Sequence, residues 1–282
     1  MGYLISHPRL ELEIKLEELE DLYIHEEIIA EIVERLSNEI ERDAYVKHPV
    51  IVDKETLVVL DGMHRVAALQ RLGCKLIPAC LVNYNNPNIT VGSWFRTIEN
   101  GQKTGENLRR DLEESGYGLQ EIAGNELERK MYDREVMVGI VTSEKCYGIL
   151  GKIEGIKETY EYIKQLEGSL RSLGYKIGYE TESDAVNKVK SGEALATIIA
   201  PRITKRDIVT TALSGEVFVH KSTRHVIPAR PLFVNVPLDW LNMSPKEANK
   251  LLFEHLSKRK MRRLPPGQTL DRRYEEELYV FE

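Results

Sequence analysis

At 282 residues, with 42% hydrophobic and 30% charged residues, the chain is long enough for one large domain or two small ones. Its 39 basic and 45 acidic residues leave a net charge of −6, which argues against a general DNA binder. No apolar run approaches the ~20 residues of a transmembrane helix, and the first residues carry no signal-peptide pattern, so a cytoplasmic protein is expected.

The three cysteines, Cys74, Cys80 and Cys146, are odd in number and lack metal-ligand spacing. They read as buried thiols of a reducing compartment. Abundant Glu, Lys and Arg with few glutamines fit a thermophile.

From the start of the chain, Leu10, Leu12, Ile14 and Leu16 alternate with period two and predict a strand, followed by a short helical turn over 17–22. His25-Glu26-Glu27 then leads into Ile28, Ile29, Ile32, Val33, Leu36 and Ile40, which have helical spacing. A carboxylate just before such a helix can cap it, face solvent or reach into a cleft. Pro49 opens an apolar run over 50–60, broken by the polar turn Asp53-Lys54-Glu55.

That run ends at Asp61-Gly62, where a strand must turn sharply into a helix. Val66, Ala67, Leu69 and Leu72 mark the helix, and Gly73 suits its stop. The first-turn N–H groups, with Met63, His64 and Arg65 beside them, form an anion site. The plainer reading makes Asp61 an N-cap.

Residues 76–82 predict another strand. An Asn- and Pro-rich loop over 84–90 then delivers Ser93-Trp94-Phe95, with Trp94 either packed in the core or serving as a flat wall for a small substrate. The charge-dense stretch from Gly101 to Glu135 suggests a boundary near residue 130. Beyond it, strands over 136–141, 147–150, 175–179 and 194–200 alternate with helices over 156–173, 182–191 and 205–213.

The loop Lys221-Ser222-Thr223-Arg224-His225 combines cations and hydroxyls suited to an anion, although such loops are often only solvated. A short strand and turn over 234–241, a helix over 246–255, a solvated basic run over 258–263 and a closing strand or tail over 274–281 complete the chain.

The order Asp61-Gly62-Met63-His64-Arg65 before a small-residue helix resembles the phosphate-binding turn of the ParB/sulfiredoxin-like superfamily. Sulfiredoxins carry a reactive cysteine before the His-Arg pair. Met63 cannot form a thiolate, which excludes that redox reaction and spares the nucleotide cradle. With His25-Glu26, Ser93-Trp94 and the 221–225 loop after Gly215-Glu216-Val217-Phe218, the chain closely resembles the free L-serine kinases of archaea. The resemblance spans most of the chain and weakens over 100–200 and the C-terminal tail.

The resemblance implies an α/β (α+β) fold. A ParB/sulfiredoxin-like nucleotide-binding domain, 1–130, would be followed by a mixed α/β substrate-closing domain, 131–282, with the active site in the cleft between them. The implied reaction is Mg²⁺-dependent transfer of a phosphoryl group from ATP or ADP to free L-serine. It gives O-phospho-L-serine for cysteine and serine metabolism.

Glu26, Asp61 and His64 would be catalytic, with Glu26 as base and Asp61 holding Mg²⁺. Gly62, Met63, His64 and Arg65 would meet the nucleotide phosphates, and Trp94, Lys221, Ser222, Thr223, Arg224 and His225 the substrate. The family has histidine where this chain has Met63, so no polar side-chain contact carries over there.

Two other readings remain open. One is a ParB-like DNA- or nucleotide-binding regulator, for which no helix-turn-helix or broad basic field is seen. The other is a noncatalytic nucleotide sensor in which Glu26 is dispensable. No residue decides between ATP and ADP.

Overall fold

The computed structural model describes residues 2–99, 102–151 and 155–282; Gly101, where the charge-dense stretch begins, lies outside them. The chain forms two compact units, both mixtures of helix and strand. The first comprises 1–90, 208–220 and 225–282, and the second 91–207 and 221–224. This corrects the expected division into 1–130 and 131–282.

The first unit opens with strands β1 (Tyr3–His7) and β2 (Leu10–Glu18). Helix α1 (Ala30–Asp43), the short β3 (Tyr45–Val46), β4 (Val50–Asp53), β5 (Val59–Asp61), helix α2 (Met63–Arg71) and β6 (Leu76–Val82) follow. The sheet order is β1-β2-β6-β4-β5. The period-two stripe on β2 buries Leu10, Leu12, Ile14 and Leu16 as expected.

At the far end of α2, Gly73 takes φ +69°. Gly73 N donates to Gln70 O and Cys74 N to Leu69 O, the two bonds of a Schellman stop.

In the second unit, β7 (Thr90–Gly92) enters from the first, and β8 (Phe95–Glu99) follows, a strand not assigned from the sequence. The charge-dense stretch folds as α3 (Gly105–Glu114), β9 (Leu119–Ile122) and α4 (Gly124–Tyr132). Each helix buries a narrow stripe at i, i+4, Leu108 with Leu112 and Leu127 with Met131. After these come β10 (Val138–Thr142), β11 (Cys146–Ile149), α5 (Ile156–Ser172), β12 (Lys176–Glu180), α6 (Glu182–Ser191), β13 (Ala196–Ile199) and α7 (Lys205–Leu213). The sheet order is β12-β8-β13-β10-β11-β9, antiparallel throughout. Because β8 lies between β12 and β13, the chain is committed to this unit well before residue 130.

The remaining elements are β14 (Arg224–Val226), β15 (Ala229–Leu232), β16 (Val236–Pro237), α8 (Pro245–Ser257), β17 (Met261–Leu264) and β18 (Glu277–Phe281). Leu16 lies beyond the stretch of β2 that β1 covers. The Asn249 amide of α8 takes the missing strand's place, accepting from Leu16 N and donating to Leu16 O, each at 2.9 Å. Residues 261–263 of the basic run lie in strand β17, where Arg262 and Arg263 pair with Glu282 and Glu277. No helix among the described residues is long and apolar enough to cross a membrane.

Candidate functional site

Glu26, Asp61, Gly62, Met63, His64, Arg65 and His225 lie in the first unit, and Trp94, Lys221, Ser222, Thr223 and Arg224 in the second. The loop expected to act as one substrate-binding group is thus divided, because the chain crosses between units after Arg224.

Between β5 and α2, Gly62 occupies the N-cap at φ +100°. A Cβ there would lie 2.7 Å from Val50 Cγ1 and 2.8 Å from Arg65 Nη2, so the turn demands glycine. Gly62→Ala should therefore cost about 2 kcal/mol from the left-handed backbone and the crowding, read as a lower thermal midpoint. The N-cap of α2 is Gly62, which has no side chain to cap with, and this corrects the N-cap reading of Asp61.

Asp61 Oδ2 instead accepts from Arg230 Nη1 at 2.7 Å and Arg65 Nη2 at 3.2 Å. Burial works against its charge, but Arg230, Arg65 and Arg272 outweigh it and hold the carboxyl well below the usual carboxylate range. Arg230 also pairs with Glu276. Arg65 Nη1 donates to His48 O at 2.9 Å and Pro49 O at 2.5 Å, so much of its fork is spent inside the unit.

These surroundings do not suit Asp61 as a Mg²⁺ ligand. Its charge is balanced by guanidinium groups that would repel a dication.

A cavity of about 350 Å³ opens beside this network, lined in part by Ile40, His48, Asp61, Arg65, Arg272 and Tyr274. Phe233 N donates to His48 Nδ1 at 3.0 Å, which places the ring proton on Nε2. Burial, then Arg65, pushes the His48 pKa down to about 4, so the ring is neutral at pH 7.

Elsewhere in the first unit, residues 25–27 run extended beside 218–220. Phe218 N donates to His25 O and Glu27 N to Phe218 O, each at 2.8 Å. Glu26 forms a bridge with Phe218 and is only 6% exposed. It precedes the first residue of α1 by four positions, because Ile28 and Ile29, expected within the helix, lie before it.

His25 is fully buried with Nδ1 2.8 Å from Val59 O, and burial lowers its pKa to about 4. His25 meets His225 edge-on at 5.3 Å, and His225 Nε2 lies 2.7 Å from Tyr84 Oη. His64 Nε2 accepts the Ile29 N–H at 3.1 Å, so its Nδ1 carries the proton. Its ring also meets His220 at 5.7 Å. His64 thereby ties the start of α2 to the N-cap of α1. Sequence reasoning passed over His220, Tyr84 and Arg230, which have no motif of their own.

In the second unit, Trp94 carries Lys221 Nζ 4.4 Å and Arg224 Cζ 5.9 Å from its ring centroid. Lys221 has φ +63°, a strained backbone for a residue with a side chain. Ser222 and Thr223 are buried. A second cavity, about 1400 Å³, opens beside Ser93 and Glu182.

No protein-family model matches the chain. An ATP-dependent L-serine kinase of Staphylothermus marinus is 28% identical over 79% of this chain and 89% of its own length. An ADP-dependent L-serine kinase of Thermococcus kodakarensis is 26% identical over 79% and 91%. A ParB-like protein of Sulfolobus acidocaldarius is 29% identical over 72% and 84%. Among solved structures, a free serine kinase in complex with AMP superposes with a TM-score of 0.64 and 26% identity, covering 81% of this chain and 93% of that one.

In sequence and fold the chain is therefore similar to a group of proteins named as L-serine kinases and ParB-like. Within that group it is homologous to the free L-serine kinases, ATP users and ADP users alike.

Proposed function

We infer that this chain is a nucleotide-dependent L-serine kinase that transfers a phosphoryl group from ATP or ADP to free L-serine, giving O-phospho-L-serine. The observation that carries this reading is the similarity, in sequence and fold, to kinases of that activity over about four-fifths of the chain.

In this reading the serine hydroxyl oxygen attacks the terminal phosphorus of the donor. The bond to the leaving nucleotide breaks, and the hydroxyl proton passes to Glu26, whose extended backbone is fixed by residues 218–220. His64 acts as a positioning residue, since its Nε2 is engaged by Ile29. The first-turn amides of Met63 and His64, at a helix start whose N-cap is Gly62, face the donor phosphates. The adjoining cavity is lined by Arg65 and Arg272 together with Asp61 and Asp271. A Mg²⁺ ion, if the reaction uses one, would be held by phosphate oxygens of the nucleotide, whose charge it would offset.

Trp94, Lys221 and Arg224 bind serine. Trp94→Ala should raise the serine KM by about tenfold while changing the nucleotide KM little. A purely structural Trp94 would instead lower thermal stability with serine affinity unchanged.

The deciding experiment incubates the pure protein with L-serine, Mg²⁺ and either ATP or ADP, then assays O-phosphoserine. Product with one donor identifies that donor, and absence with both overturns the reading. The ParB-like relative favours a second reading, a DNA-binding regulator. Sequence-specific DNA binding that weakens steeply with salt would support it.

A further inference from the structure

Arg96 is fully buried on β8, an expensive place for a guanidinium. Its Nε donates to Glu167 Oε1 of α5 at 2.8 Å, and its Nη1 donates to the Trp94 carbonyl at 2.8 Å. Its Cζ lies 5.7 Å from the ring centroid of Tyr160 and 5.6 Å from that of Tyr179. Glu167 is held in turn, since Tyr179 Oη donates to its Oε2 at 2.6 Å and Arg171 Nη2 lies 3.3 Å from the same atom.

Stability alone explains this poorly. A buried ion pair is often replaceable by apolar residues of similar volume without loss. Moreover, Arg96 Nη2 is buried with no hydrogen-bond acceptor among the described residues, a further cost. What the arrangement does achieve is to fix one carbonyl, that of Trp94, whose ring bears Lys221 and Arg224.

We propose that Arg96 is a positioning residue for the substrate wall. Anchored by Glu167 and the two tyrosines, it holds the Trp94 main chain so that the indole stays beneath Lys221 and Arg224. The effect on serine rests on the kinase reading above; the effect on Trp94 does not.

The test uses the full chain with Trp240→Phe, which leaves Trp94 as the one tryptophan. Replacing both partners, Arg96→Met with Glu167→Met, removes the charges together and keeps the volume. The expected result is a folded protein whose Trp94 emission shifts to the red and whose serine KM rises about tenfold, with the nucleotide KM within about twofold of the parent. Arg96→Lys, which keeps a charge for Glu167 but cannot also span to Trp94 O, should fall between the two. It carries the same readouts if the double variant fails to fold.

A folded variant with unchanged Trp94 emission and unchanged serine KM overturns the proposal. If the parent itself makes no O-phosphoserine, the kinase reading fails. The emission measurement then decides the clamp alone, with a shift supporting it and no shift overturning it.

Discussion

Glu26→Gln is expected to lower kcat by about a hundredfold or more, the usual scale for a positioned general base. Affinity for both substrates should stay nearly intact. Glutamine keeps the size and most hydrogen bonding of the side chain but cannot accept the serine proton. The backbone of 25–27 is pinned by the Phe218 N–H and carbonyl, so the variant should keep the local structure.

Glu27→Gln is the control. Its carboxylate lies 3.4 Å from the His220 N–H and is half-buried, so the change should be mild. Steady-state kinetics with serine and nucleotide varied in turn separate the cases. If the two variants exchange behaviour, Glu27 is the base; if both stay active, the base lies elsewhere and the mechanism fails.

Asp61→Asn should be strongly destabilising. Removing one partner of a buried ion pair costs about 3–5 kcal/mol. The Asp61 side chain is 32% exposed, which points to the lower end. A loss near 3 kcal/mol lowers the thermal midpoint by roughly 5–10 °C.

The pH dependence carries the sign. The folded carboxyl is depressed, so its contribution is complete above the unfolded value of about 4 and is lost as pH falls below it. His25 and His48, whose folded pKa values are lowered to about 4, act in a higher window. The unfolded chain binds their protons as pH falls from about 6.5, so stability declines over that range in parent and variant alike. Denaturant melts at pH 7, 5 and 3 should therefore show a steady gap between parent and Asp61→Asn down to pH 5, narrowing by pH 3. A gap that persists unchanged at pH 3 would mean that the Asp61 charge is not what the arginines stabilise.

The legible parts of the fold were those in which one period dominates. β2 alternates cleanly, and α2 is bracketed by Gly62 and Gly73, each at a positive φ that glycine adopts without strain. β8 was missed because Arg96 and Thr97, both at 0% exposure, are polar residues in a buried strand and break its apolar pattern. α3 and α4 were hidden by surface charge that leaves each only two fully buried leucine or methionine side chains.

At the site, the turn could be read locally but its partners could not. Asp61 meets Arg230 169 positions away, and nothing near Asp61 announces that. For the same reason Arg65 looked available for phosphate, when two carbonyls and Asp61 already engage it. His64 looked like a ligand, although a backbone N–H from the neighbouring helix occupies its Nε2.

The interleaving of the two units bears on how the protein is made. On the ribosome, 1–90 emerges first but lacks Arg230 for Asp61, Asn249 for the open edge of β2 and 218–220 beside Glu26. Residues 91–207, which supply all six strands of the second sheet, are synthesised before any of these appear. The later unit in sequence can thus close during translation, while the earlier one waits for the C-terminus with its apolar strands incompletely covered. Such long-range closure slows folding and leaves a nascent intermediate open to aggregation. A stop codon near residue 225 would leave the second unit almost whole and the first without its last strands and helix.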